Sequence, residues 1–111
     1  MKQTPIDLYR LGNASSARLD RLRPDEVGIV ARDGRDWVVG RSGGVSTFEA
    51  PTGLRGRHWW RLSAQTAYDE TLMHLWNDFG NHWSWEPAAN MPLAQFVDAL
   101  VELNAKFTRW P

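Results

Sequence analysis

A stripe of apolar residues at intervals of three and four closes the chain. It follows Pro92, a residue type favoured in the first turn of a helix. The spacing predicts one amphipathic helix whose apolar face is buried against the rest of the protein. The members of the stripe are Leu93, Phe96, Val97, Leu100, Leu103 and Phe107.

Short β-like segments separated by turn residues fill most of the chain before this helix. Residues 27–31 and 37–39 flank Asp33-Gly34, a pair that suits the positive φ angles of a tight hairpin turn. Further strands are predicted at residues 6–11, 45–48 and 59–62, with a turn at 51–53.

Two segments are harder to assign. Residues 66–79 fit both a helical stripe and a strand, and the polar cluster at 77–81 followed by an alternating run at 82–86 favours strand, loop, strand. Asn13 or Ser15 is a suitable cap for a short helix over residues 14–22 that Pro24 would end. The predicted class is α+β, with short antiparallel strands, a small N-terminal helix and a C-terminal helix on the sheet.

The composition fits a single folded domain spanning residues 1–111. Hydrophobic residues make up 42% and charged residues 23%, both near the globular norm. The chain has no cysteine, which excludes disulfides and thiolate metal sites. The amino terminus lacks an apolar signal core and no apolar stretch is long enough for a membrane span, so we expect a chain without a membrane association.

Charge is distributed unevenly along the chain although the formal net charge is zero. Residues 1–61 carry eleven Lys or Arg against seven Asp or Glu, and residues 62–111 carry two against six. Eleven of the thirteen basic residues are Arg, the side chain best suited to two-point contacts with phosphate and carboxylate. A phosphate-bearing ligand or an acidic partner would suit this half, and a solvated surface is the simpler alternative.

Three polar features occur on predicted strands, one after another along the chain. Arg10 follows Leu8-Tyr9, Ser46-Thr47 follows Gly43-Gly44, and Glu86 ends the 82–86 run. Each alone is unremarkable, and their order is what indicates a site.

The chain resembles small type VI secretion effector toxins with an ADP-ribosyltransferase-like fold. The resemblance runs through nearly the whole chain, and residues 82–88 are its most distinctive part. The stretches that carry it are LYR at 8–10, GGVSTF at 43–48, HWSWEPA at 82–88 and MPL at 91–93 with the last helix. It implies a split sheet of short antiparallel strands and a transferase that uses NAD as substrate.

The resemblance also implies a biological setting. Such a toxin is made in the bacterial cytoplasm, secreted without a signal peptide, and acts in the cytoplasm of a competitor cell on a macromolecular acceptor. Its producer would need a neutralising immunity protein, for which the Arg-rich first half would suit an acidic surface.

Roles for individual residues follow from the resemblance. Glu86 would be catalytic, because a fixed carboxylate stabilises the positive charge that builds on the ribose as nicotinamide leaves. Arg10 would hold a phosphate or ribose oxygen of NAD, and Ser46 would order the ribose or the glutamate. Thr47 belongs to the same motif and would point the other way, since neighbours alternate. Gly44, with Gly43, would let the backbone approach the ligand.

Aromatic side chains are candidates to clamp the cationic nicotinamide ring, with a place in the core as the alternative. These candidates are Tyr9, Phe48, Trp83 and Trp85. Alternation puts His82 and Ser84 on the same face as Glu86, so His82 would line the NAD site.

One position departs from the family pattern. Many transferases of this kind carry a second Glu or Gln two residues before the catalytic one, and here that position is Ser84. The acceptor, and the choice between transfer and hydrolysis, therefore stay open.

Other function classes compete with this hypothesis. The main alternative is a non-catalytic module whose Trp-rich surface binds protein or carbohydrate, since the chain has seven Trp. Neutral net charge disfavours nucleic-acid binding. The three histidines lie on separate segments without ligand spacing, so no metal is expected.

Overall fold

The computed structural model describes residues 1–51 and 58–111. In chain order the strands are β1 (Lys2–Gln3), β2 (Leu8–Leu11), β3 (Ile29–Arg32), β4 (Arg35–Val38), β5 (Val45–Phe48), β6 (Trp59–Leu62), β7 (Ala67–Tyr68), β8 (Met73–Phe79), β9 (His82–Pro87) and β10 (Met91–Pro92). Helix α1 (Leu93–Asn104) and strand β11 (Thr108–Arg109) follow. This is an α+β fold.

The largest sheet has six strands in the order β11-β6-β2-β5-β9-β8, and all its pairings are antiparallel. A three-stranded sheet, β10-β4-β3, contains the predicted hairpin, where Asp33 and Gly34 have φ angles of 53° and 77°. Strands β1 and β7 form a third, two-stranded sheet.

The core lies between one face of the six-stranded sheet and helix α1. The sheet contributes Leu8, Val45, Leu62 and Trp85, all without exposed surface, and the helix contributes Phe96, Leu100 and Leu103 from the predicted stripe. The prediction of the C-terminal helix is confirmed. No helix within the described ranges is long and apolar enough to cross a membrane.

Segment 66–79 is resolved in favour of the strand. β8 pairs with β9 through a hairpin whose Gly80 has a φ of 49°. The predicted strands at 45–48 and 59–62 are confirmed, and the first strand is shorter than predicted, beginning at Leu8. Of the predicted turn at 51–53, Thr52 and Gly53 lie outside the described residues.

The predicted helix over residues 14–22 is wrong. Asn13 does act as a cap, but its side-chain oxygen closes a local turn by accepting from the backbone N–H groups of Ser15 and Ser16. Arg18 has a φ of 60°, which no right-handed helix tolerates. The guanidinium of Arg10 takes the carbonyls of Ala17 and Arg18, so tertiary hydrogen bonds replace those a helix would have made.

Candidate functional site

The three strands that carry the predicted site residues are neighbours in the large sheet. β2 holds Arg10, β5 holds Ser46 and Thr47, and β9 holds Glu86, in the spatial order β2-β5-β9. The sheet therefore brings together segments that are far apart in sequence.

Register decides which side chains share a surface, because residues directly opposite each other on antiparallel strands lie on one face. Ser46 pairs with Ser84, and Ser84 pairs with Trp76, so these three form a row across β5, β9 and β8. Phe48 pairs with His82, and Glu86 pairs with His74. We call the surface formed by these residues the polar face.

Thr47 lies on the opposite side of β5. It has no exposed surface, and its hydroxyl donates a 3.0 Å hydrogen bond to the carbonyl of Trp83. Its environment is the core, so Ser46 is the member of the pair that reaches the polar face.

Arg10 also leaves its strand on the other side, because its neighbour Tyr9 stands opposite Phe48. Its Nη1 donates to the Ser46 carbonyl at 2.7 Å, and its Nε and Nη2 donate to Ala17 and Arg18. One N–H remains on each Nη for a ligand. Arg10 thus meets the Ser46 backbone and does not share a face with its hydroxyl.

Beside Arg10 lies an open cleft of about 530 Å³ with four arginines in its lining. Arg18, Arg21 and Arg23 are exposed there. Burial lowers the pKa of Arg10 from its ordinary value, and nearby Glu26 opposes that shift. The cleft, which we call the arginine cleft, is suited to a multiply charged anion or an acidic protein surface.

Glu86 sits at the far end of the polar face, with 5% of its surface exposed. The indole N–H of Trp76 donates to its Oε2 at 2.6 Å. A carboxylate held by a charge-assisted hydrogen bond has a fixed orientation.

A cavity of about 210 Å³ opens on Glu86 and is lined also by Arg41, His74 and Trp76. A second cavity of similar size shares Arg41 and His74 and adds Lys2 and Glu70. Burial, followed by the charge of Arg41, lowers the pKa of His74, while the charge of Glu86 opposes that shift. Arg41 lines the cavity of Glu86, and Lys2 lines the second cavity together with Glu70.

The middle of the polar face contains a hydrogen-bonded chain. His82 Nε2 lies 2.8 Å from the hydroxyl oxygen of Ser46, and His82 Nδ1 is hydrogen-bonded to Asp78 Oδ1. Phe79 stacks on the imidazole with ring centroids 4.9 Å apart, and Phe48 meets it edge-on at 5.5 Å.

A β-bulge in β8 explains how His82 acquires two of these neighbours. Asn77 pairs with Trp83 and Phe79 pairs with His82, so Asp78 is the extra residue. Two consecutive residues of β8 thus oppose one residue of β9, one bonding the ring and the other stacking on it.

Gly44 has a different role from the one predicted. A Cβ there would lie 1.8 Å from the carbonyl oxygen of Trp85 and 2.9 Å from the Cα of Glu86. Gly44 therefore allows close approach of β9, and it sets the position of Glu86 rather than making room for a ligand. Gly43, with a φ of 130°, makes a similar approach to the carbonyl of Glu26.

The remaining aromatic candidates are divided between core and surface. Tyr9 is buried edge-on against Trp110, and Trp85 is fully buried against Tyr68. Trp83 donates its N–H to Glu49. The ring of Phe48 contacts the imidazole of His82, another predicted site residue.

Four residues near the predicted site were missed from the sequence: Arg41, His74, Trp76 and Asp78. His74 and Trp76 alternate along β8, and the strand interpretation of residues 66–79 could have suggested their common face. Asp78 depends on the bulge, and Arg41 lies outside the described strands with a φ of 54°, so neither had a recognisable pattern.

Within the described residues, no three His, Asp or Glu side chains are grouped so as to hold a metal ion. No protein-family model, curated protein or solved structure matches the chain. The site is therefore interpreted from its own geometry and chemistry.

Proposed function

We propose that the protein is a bacterial toxin that consumes NAD, as an ADP-ribosyltransferase or an NAD glycohydrolase, inside competitor cells. One observation carries the proposal. The strands of Arg10, Ser46 and Glu86 are adjacent in one sheet, and Ser46 and Glu86 share a face. A common NAD site for Ser46 and Glu86 requires that they share a face, whereas Arg10 lies on the other face of the sheet.

The chemistry of Glu86 supports the same conclusion. When the bond between nicotinamide and ribose breaks, positive charge develops at the anomeric carbon. A carboxylate that is buried and oriented before the reaction stabilises that charge with little reorganisation. Trp76 holds one oxygen of Glu86 in place, and its half-exposed ring offers a face for the cationic nicotinamide.

The cations near Glu86 suit the pyrophosphate of NAD. Arg41 lines the cavity that opens on Glu86 and also the second cavity, which Lys2 lines with it. Under the proposal Arg41 contacts phosphate next to Glu86, while Arg10 secures β2 to β5 and contributes its two remaining N–H groups to the arginine cleft.

A neutralising partner belongs to the same proposal. The arginine cleft is lined by four arginines, which suits an immunity protein with an acidic surface.

Growth of bacteria that express the chain tests the proposal. We expect wild type to arrest growth and Glu86→Gln, a nearly isosteric change, to relieve the arrest. Glu102→Gln, an exposed position on α1, is the matched control and should remain toxic. Equal growth of all three strains, with each protein accumulating in soluble form, would contradict the proposal.

A binding module is the second candidate, favoured by exposed aromatic side chains on edge strand β8. Trp76 is 43% exposed and Phe79 68%. A change in Trp fluorescence that saturates with a protein or glycan ligand, without loss of NAD, would favour this function over catalysis.

A further inference from the structure

The hydrogen-bonded series Asp78–His82–Ser46 is arranged so that the serine hydroxyl has a proton acceptor. Asp78 accepts a hydrogen bond, so in the neutral imidazole the proton of His82 lies on Nδ1 and Nε2 has a free lone pair. Ser46 must then be the donor in the 2.8 Å contact with Nε2. The tautomer follows from the donor and acceptor chemistry of the two partners.

The surroundings of His82 hold the ring in this orientation. Phe79 covers one side and Phe48 contacts it edge-on, while only 14% of the His82 side chain is exposed. The Asp78 side chain is 21% exposed and its Oδ1 also accepts from the Phe79 N–H. An imidazole fixed in this way can take a proton without first reorienting.

The position of this hydrogen-bonded series relative to Glu86 indicates what it does. Ser46 stands opposite Ser84, two residues before Glu86 on β9, so Ser46 and Glu86 are diagonal neighbours. The Cα atoms of diagonal neighbours on one face of a sheet are about 7–8 Å apart, and their Cβ atoms are somewhat closer. Two groups separated by roughly 6.5–9.5 Å can hold a sugar carbon and an attacking water between them.

A proton acceptor is needed at this place, because a hydroxyl is a poor nucleophile until its proton leaves. Ser84 occupies the position where a second carboxylate would stand, and its hydroxyl cannot accept a proton at neutral pH. His82, reached through Ser46, is the histidine of the polar face that Asp78 orients for this task.

We propose that Asp78, His82 and Ser46 form the proton relay that activates a hydroxyl acceptor, from water or an alcohol, for attack on the ribose of NAD. The inference rests on the proposed function. As the bond to nicotinamide breaks, its electron pair neutralises the ring nitrogen and a new bond forms between the anomeric carbon and the acceptor oxygen. The acceptor proton passes to the Ser46 oxygen while the Ser46 proton passes to His82 Nε2. Asp78 is a positioning residue that stabilises the resulting imidazolium.

The relay predicts a specific response to azide, an anionic nucleophile that has no proton to lose. With purified full-length protein and NAD, His82→Gln should slow nicotinamide release by about 100-fold or more, the usual contribution of a general base. Sodium azide should restore release in His82→Gln, Asp78→Asn and Ser46→Ala, with ADP-ribosyl azide as product. Glu86→Gln should stay inactive with or without azide.

Control variants and reactions distinguish a failure of the proton relay from a failure of the proposed function. His58→Gln alters a histidine bonded to Arg109 on another strand and should behave as wild type. Added methanol should yield methyl ADP-ribose in wild type and much less in His82→Gln, which identifies the acceptor as a hydroxyl. If wild type releases nicotinamide and azide restores none of the three variants, each folded by circular dichroism, the relay is wrong while the proposed function stands. If wild type releases none, both are wrong.

Discussion

Glu86 depends on the indole of Trp76 for its orientation. The hydrogen bond is 2.6 Å long and joins side chains that stand on neighbouring strands of the polar face. Trp76 is also half-exposed, so water competes with Glu86 for its N–H group. At the residue scale, the candidate site is thus a carboxylate fixed by a neighbour that is itself open to a ligand.

Replacing Trp76 by Phe tests this dependence because it keeps an aromatic ring and removes the N–H donor. We expect a loss of about 1 kcal/mol in the free energy of unfolding, a typical value for one hydrogen bond. Trp37→Phe is the matched control, because the Trp37 N–H is buried without a partner and its removal breaks no hydrogen bond. Urea denaturation of both variants provides the comparison, and an equal loss in the two would contradict the assigned role of the Trp76 N–H.

The positions of some single side chains could be predicted from the sequence, and others could not. Alternation predicted that Ser46 and Thr47 point to opposite sides, and register and burial agree. Asp78 was not predictable, because its contact with His82 depends on a bulge that shifts the pairing of β8 by one residue. The contacts of Arg10 were not predicted for a similar reason. Its strand could be predicted from the sequence, but the conformation of the loop whose carbonyls it binds could not.

At the scale of elements, the site depends on the close contact between β5 and β9. Gly44 makes this contact possible where the backbone of Trp85 and Glu86 passes. Any side chain at position 44 would push β9 away and displace Glu86 from the polar face.

Gly44→Ala should therefore destabilise the protein by about 3 kcal/mol or more, since it inserts a methyl group against backbone that cannot move aside. Gly80→Ala is the control: its φ of 49° is unfavourable for alanine, but no atom lies within 4 Å of the added methyl. Strain alone should cost about 1–2 kcal/mol there. Thermal and urea unfolding measure both, and a Gly44→Ala loss no larger than that of Gly80→Ala would count against the close contact.

Elements whose patterns are local were predicted well. The Asp33-Gly34 hairpin and helix α1 each follow from a few neighbouring residues, through turn chemistry in one and periodic apolar residues in the other. The helix at 14–22 failed because long-range hydrogen bonds from Arg10 and Asn104 hold that segment in another conformation. Local propensity was overridden by tertiary contacts.

At the scale of the whole molecule, the six-stranded sheet places residues from both halves of the chain on neighbouring strands. The basic half supplies Arg10 and Ser46, and the acidic half supplies Asp78 and Glu86. Strand order was not deducible from the residues themselves, because it is set by pairings between distant segments. In the observed sheet β2, β5 and β9 are neighbours, which brings three distant segments side by side.

The most direct measurement of the central claim is nicotinamide release from NAD by the purified protein. We predict release by wild type and by Glu102→Gln, and a loss of about 10²–10³-fold in Glu86→Gln, the range found when one stabilising group is removed from a transition state. The same rate in wild type and Glu86→Gln, or no release by wild type, would contradict the assignment of Glu86 as the catalytic carboxylate of an NAD-consuming enzyme.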